Sequence, residues 1–299
     1  MQIDLSFSQA AIVLPREYSA LKFILVGAGG TGSFAAPAIA RLIFELTQNQ
    51  NKPIEMLIVD PDVVESGNIP RSNFCAAEIG RYKAQTLAER ITLAWGMEIE
   101  YSYEAFDAEK HLRRSMRDYR SLTVIVGCVD NHHARRDIHG AIDEFKTYGA
   151  SDAPGIWWID SGNGRTSGQV LLGSNTRKLK PQQHFAGTSI CRSLPAPSLV
   201  HPDLLEPETK ATLETNEDLS CPDRVRLGEQ SLNINQRVAV EIGEMLSAMF
   251  LTRSLKRFAT YFDLESGTSR SLYCTQEQIE MSFKSNNPKL KDGKLGPKL

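Results

Sequence analysis

The sequence has no CxxC pair, and its five cysteines (75, 128, 191, 221 and 274) are an odd number without framework spacing. That excludes a disulfide-stapled scaffold and a four-cysteine zinc site, and the expectation is reduced thiols in a cytoplasmic protein. No apolar run approaches the length that spans a bilayer, so no membrane segment is predicted. The opening Met1-Gln-Ile-Asp-Leu-Ser has no basic stretch followed by an apolar core, so no signal peptide is predicted. A formal net charge of −2 leaves no excess of cations for a dedicated nucleic-acid surface. Internal repeats are absent, which excludes solenoids and propellers.

What is present is an ordinary globular balance, 41% hydrophobic and 23% charged over 299 residues, with room for a substantial core. Apolar runs at 21–27, 54–59, 123–129, 156–159 and 168–172 read as strands. Between them lie helical patterns at 31–47, 78–95 and 107–118, and one capped by Asp130 or Asn131 that runs to Phe145. A further strand is expected near 98–104. This alternation predicts an α/β fold, a Rossmann-like doubly wound and mostly parallel sheet, with its ligand at the carboxyl ends of the strands. Periodicity fails from Ser174 to about Ser220, so 174–222 is expected to be a long crossover loop with an active-site role. A helix over 230–251 and a hairpin around Glu265-Ser-Gly267 complete a single unit over 1–283. The lysine-bearing tail, 284–299, is expected to be disordered.

The most informative stretch is Lys22-Phe-Ile-Leu-Val-Gly-Ala-Gly-Gly-Thr-Gly-Ser33. A strand running into Gly27, Gly29, Gly30 and Gly32 and then a helix is the context of a nucleotide-binding loop. The glycines let the backbone turn and approach a phosphate, and the new helix presents free N–H groups to it. The next strand ends on Asp60, placed to hold a ribose hydroxyl pair. Asn68, Arg71 and Lys83 follow as donors, and Asp130 stands just after the third strong strand. That inventory suits a nucleoside triphosphate with a metal ion better than a nicotinamide. An NAD(P)-dependent oxidoreductase on the same glycine loop is the rival reading. Asp130 is also placed to cap the following helix, and Asp62 and Glu65 fit structural roles as well as functional ones.

Four motifs in order carry a resemblance: Gly-x-Gly-Gly-x-Gly; Asp60-x-Asp62-x-Val64-Glu65-x-x-Asn68-Ile-x-Arg71; Gly80-x-x-Lys83-Ala84; and Cys128-Val-Asp130-Asn131. Together they resemble the ThiF/MoeB/ubiquitin-activating-enzyme superfamily. Asp160-Ser-Gly162 and Ser220-Cys-Pro, with Gln230 and Asn235 beyond, look like the ThiF-family protein of the bacterial PRTRC gene system. The resemblance implies an ATP- and Mg²⁺-dependent adenylyltransferase acting on the C-terminal carboxylate of a small ubiquitin-like protein that ends in glycine. It also implies a homodimer. Carried over by motif, Asp60 holds the ribose, Asn68, Arg71 and Lys83 grip the phosphates, and Asp130 holds Mg²⁺. Ser72 stands where the family often has Gln. Arg16 lies too near the first strand to carry over a partner-reaching arginine.

Some relatives pass the acyl group to a loop cysteine. Cys221, before a helical stretch, is the first candidate for such a thioester and Cys191, beside Arg192, the second. Cys128 reads as core. His132, His133 and His139 read as solvated or packed rather than as a metal group. Trp157 and Trp158 read as core and rim.

Overall fold

The computed structural model describes residues 5–117, 120–144, 154–207 and 231–284. Helix α1 (Ser6–Gln9) and strand β1 (Ile12–Val13) lead into β2 (Ala20–Val26). Then come α2 (Gly30–Asn49), β3 (Ile54–Val59), α3 (Lys83–Trp95), β4 (Glu100–Ser102), α4 (Ala108–Arg117), β5 (Ser121–Gly127) and α5 (His132–Glu144). Strands β6 (Ile156–Asn163) and β7 (Ser167–Gly173) form a hairpin, followed by the short β8 (Phe185–Ala186), β9 (Ile190–Cys191) and α6 (Pro197–Val200). Helix α7 (Ile234–Phe250), the hairpin β10 (Arg257–Asp263) and β11 (Ser269–Tyr273), and α8 (Gln276–Lys284) close the described chain.

One eight-stranded sheet runs in the order β11-β10-β7-β6-β5-β2-β3-β4. The half from β6 to β4 is parallel, and β7, β10 and β11 add antiparallel strands at the other end. The chain goes from β2 outward to β3 and β4, then returns to the opposite side of β2 as β5. The order therefore reverses between β2 and β5, and a crevice opens where their carboxyl ends diverge.

Strand periodicity builds two cores from one set of strands. Phe23 and Leu25 pack on one face with Met56, Ile58, Val124, Val126, Trp157 and Ile159. Ile24 and Val26 pack on the other with Leu57, Val59, Ile125 and Trp158. Successive side chains point to opposite faces of a strand, so continuous apolar runs mark strands covered on both sides. Helices α2 and α7 pack together on the first face. The expected apolar stripe of α7 (Ile234, Val238, Ile242, Met245 and Met249) is wholly buried there. Leu112 of α4 and Ile138 and Ala141 of α5 cover the second face.

Several expectations need correction. The stretch after Ser174 is not structureless: β1, β9 and β8 form a small separate sheet, with β1 parallel to β9. Two-residue strands carry no readable period. Helix α3 begins at Lys83, not 78, because a 3-10 turn (Ala76–Glu78) precedes it. Trp158 is as fully buried as Trp157, since β6 is interior to the sheet. Helix α8 was not expected. Cys221 and the basic tail from Ser285 lie outside the described residues. Among the described residues, no helix is long and apolar enough to cross a membrane.

Candidate functional site

The turn out of β2 is set by glycine. Gly27 has φ +89°, and a Cβ there would meet Cys128 O at 2.5 Å. At Gly32 a Cβ would fall 1.9 Å from Gly27 O. Gly32 is therefore what lets the first turn of α2 lie against the loop, and it does not line the cavity described below. Gly29 has open space where its side chain would be, so the backbone is bare on that side.

Asp60, at the end of β3, ties the loops together. Its Oδ2 accepts from Ala28 N at 2.5 Å and its Oδ1 from Asp62 N at 2.8 Å. Burial pushes its carboxyl above the usual range, and the two backbone N–H groups oppose the rise.

The segment after Asp60 folds back on itself. Val64 N donates to Arg81 O, Gly80 N to Val64 O and Lys83 N to Asp62 O. This return places Lys83 at the start of α3 with Nζ 2.9 Å from Asp62 Oδ2. Between the two arms, Asn68 organises a 3-10 turn (Ser66–Asn68). Its Oδ1 accepts from Glu65 N at 2.9 Å, and its carbonyl accepts from Arg71 N and Ser72 N. Ser72 Oγ also donates to that carbonyl at 2.5 Å, so Ser72 supports the Asn68 turn. Arg71 Nε is buried without a hydrogen-bond partner among the described residues. An unsatisfied cationic donor in a concave wall is costly unless an anion or water meets it.

These loops surround one cavity of about 1110 Å³ at the carboxyl ends of β2, β3, β5 and β6. Gly27, Gly29, Gly30, Asp60, Asn68, Arg71, Lys83 and Asp130 all line it. Asp130 is exposed, and it is Asn131 that caps α5, its Oδ1 accepting from Ala134 N at 2.9 Å. Asp130 is thus not consumed by the cap. Apolar Val26, Val59, Phe106 and Val129 share the lining.

On the remaining wall, sequence reasoning singled out Asp160, Gly162 and Asn235 without giving them a role and missed Arg135. Arg135 of α5 places Nε 3.2 and 3.3 Å from the two oxygens of Asp160 and donates from Nη2 to Ser161 O. Asp160 is fully buried in β6, and desolvation pushes its carboxyl up to about 6 against the pull of Arg135. Asn235 of α7 accepts from Thr31 Oγ1 at 3.0 Å and from Asn163 Nδ2 at 2.5 Å, and donates to Arg71 O at 3.0 Å. The available signal was a carboxylate continuing the apolar run Ile156-Trp-Trp-Ile159, because a buried acid needs a partner.

The cysteine and histidine expectations fare differently. Cys191 is wholly buried in β9, its thiol donating to Ser193 O at 3.0 Å, which removes it as an accessible nucleophile. Cys128 lies just beyond β5 and lines the cavity rather than the core alone, and burial pushes its thiol up to about 12. His132 and His133 pack ring to ring, and His139 Nδ1 lies 2.7 Å from Ser198 Oγ. Arg16 donates from Nη2 to Ser121 O, a tie to the start of β5.

The ThiF family model matches residues 14–185, more than half of the chain. Among solved structures, PaaA is similar at 15% identity with a TM-score of 0.51, over 85% of this chain and 73% of PaaA. E. coli MccB solved with ATP is similar at 12% identity and a TM-score of 0.50, over 85% of this chain and 63% of MccB. MccB solved with MccA gives 10% identity and a TM-score of 0.51, over 84% and 63%. The chain thus spans less than two thirds of MccB. At these identities the likeness is one of fold. No curated protein matches the chain.

Proposed function

This chain belongs to the ThiF family, and we propose that its cavity binds ATP and adenylylates the C-terminal carboxylate of a small ubiquitin-like protein ending in glycine. The observation that carries this reading is the meeting of Arg71, Lys83 and Asp130 around one cavity with the bare glycine loop. The fold likeness to MccB, which has been solved with ATP and with MccA, is in keeping with it.

The residues fit a nucleotide. The open space at Gly29 allows a phosphate close to the backbone, and the orphaned Nε of Arg71 gains a partner from an anion. Asp60 is assigned to the ribose, and its bonds to Ala28 N and Asp62 N hold it rigid for that role. Apolar Val59, Phe106 and Val129 suit a base. Asp130 is assigned to Mg²⁺. Mg²⁺ is commonly held by one or two carboxylates plus substrate phosphates, and among the described residues no group of three or more His, Cys, Asp or Glu could hold a metal by itself. Bound there, Mg²⁺ would supply charge neutralisation at the phosphates.

The chain's own residues do the rest. A substrate carboxylate oxygen attacks the α-phosphorus, the bond to pyrophosphate breaks, and an acyl adenylate remains. Arg71, Lys83 and Asn68 stabilise the negative charge that grows on the phosphate oxygens and the departing pyrophosphate. In a second step the thiolate of Cys221 attacks the acyl carbon and expels AMP, giving a thioester. The protein works as a homodimer in this reading.

ATP–pyrophosphate exchange in the presence of Mg²⁺ and candidate small proteins ending in Gly-Gly tests the proposal. Exchange that requires the small protein and vanishes in Lys83→Ala supports it. Folded protein with no exchange across the candidates counts against it.

A further inference from the structure

The cationic groups of the cavity stand on two different walls. Arg71 and Lys83 come from the segment between β3 and α3, whereas Arg135 comes from α5 and rests on the end of β6. We infer that Arg135 binds the carboxylate of the incoming acyl substrate, held in place by the buried Asp160, while the first wall takes the phosphates. This rests on the adenylation reading and names the group that reads its second substrate.

Adenylation brings one anion to another. A carboxylate approaching a triphosphate is repelled by whatever negative charge the phosphate-side cations leave uncompensated. A separate positive group on the acyl side lowers the cost of approach. Arg135 lines the cavity with its side chain 11% exposed. Its Nε is engaged by Asp160 and its Nη2 by Ser161 O. A guanidinium has five N–H donors in a rigid fork, so donors remain for a planar carboxylate.

The support beneath it is unusually firm. Asp160 is 0% exposed and lies in an interior strand. A carboxylate with that burial is expensive unless a cation meets it, and Arg135 is the cation that does. Here it fixes the plane of the guanidinium. Beside it, Gly162 lines the cavity and leaves the backbone without a side chain, and Asn163 is tied to Asn235 at 2.5 Å. The end of β6 thus has no side chain of its own at Gly162 beside the fork, and the Gln169 side chain packs against that position.

The test uses the full-length protein saturated with Mg²⁺ and a non-hydrolysable ATP analogue, titrated with a short peptide ending in Gly-Gly as the free carboxylate or as the amide. Wild type is expected to prefer the carboxylate by about tenfold, the size of a charge-assisted contact. Arg135→Gln should reduce that preference below about twofold, with affinity for the ATP analogue changed by less than about twofold on the same scale. Because Arg135→Gln leaves Asp160 without its partner, Arg135→Gln combined with Asp160→Asn is run beside it. That pair removes both charges together, and the same loss of preference is expected. Asp160→Asn alone, acting through Arg135, should give an intermediate loss. A merely structural role would leave the carboxylate-to-amide ratio unmoved. The inference is overturned if wild type shows no preference, if the preference survives in the double variant, or if the double variant loses the ATP analogue as severely as Arg71→Ala. Repeating the peptide titration without nucleotide separates this outcome from failure of the ATP reading, since a protein that ignores the analogue can still show or lack the Arg135-dependent preference.

Discussion

Lys83 Nζ lies 2.9 Å from Asp62 Oδ2, pairing a nearly buried ammonium with a carboxylate whose side chain is 65% exposed. The cation is thus held on the cavity wall by a partner that water can reach. A triphosphate bound as proposed would compete for the same ammonium and be repelled by the same carboxylate. Asp62→Asn should therefore tighten ATP binding by about fivefold, the scale of one like-charge contact at ~4 Å screened as in water, and Lys83→Ala should abolish measurable binding with the melting curve retained. Calorimetric titration reads both. Weaker binding by Asp62→Asn would give that residue a part in holding the nucleotide.

The two glycines at the start of α2 should behave differently. Gly32→Ala drives a Cβ to 1.9 Å from a backbone oxygen that cannot rotate away, and overpacking of that severity costs about 3 kcal/mol or more. Gly29→Ala enters open space, so its stability loss should be far smaller and its chief effect a loss of nucleotide affinity. Urea midpoints and ATP titration on the two variants check the contrast.

Asp160 makes folding pH-dependent. Its carboxyl titrates near 6 in the folded chain and near the ordinary 3.8 when unfolded. Between those values the folded state holds the extra proton, so this group's contribution is fully present below pH 3.8 and is lost as pH rises through 6. A shift of that size corresponds to about 3 kcal/mol. Asp160→Asn lacks the effect. Its melting temperature relative to wild type should rise as pH goes from 4 to 7. A difference that is flat with pH would remove Asp160 as the titrating group.

Thiol reactivity should follow burial. Cys75 is exposed, whereas Cys191 and Cys274 are buried and burial raises the Cys128 and Cys274 thiols. Brief alkylation of native protein should label Cys75 and spare Cys128, Cys191 and Cys274 until denaturant is added, as peptide mass spectrometry would show. Native labelling of Cys191 would restore it as a nucleophile candidate.

Much of the parallel sheet was legible because doubly covered strands write themselves as unbroken apolar runs, Phe23–Val26 and Val124–Val126 among them. That Asn68, Arg71, Lys83 and Asp130 belong together was legible because they fall within spaced motifs, with Lys83 opening a helix and Asn68 and Arg71 on the segment between β3 and α3. The Arg135–Asp160 pair was not, because its members are 25 positions apart and, although the acid ending an apolar run calls for a partner, nothing in the sequence says which cation supplies it. Arg135 and Arg136 are adjacent in sequence, yet one lines the cavity and the other pairs with Glu206 at the surface. Only the helix phase distinguishes them. The β1–β9 pairing escaped for a related reason: it joins residue 12 to residue 190 through two-residue strands.

The most direct measurement is paired calorimetric titration of the full-length protein with Mg²⁺-ATP and with NADH, on wild type, Arg71→Ala and Lys83→Ala. Saturable binding of ATP by wild type, lost in both variants and absent for NADH, is the predicted result. Tight NADH binding that is indifferent to Arg71 and Lys83 would contradict the account.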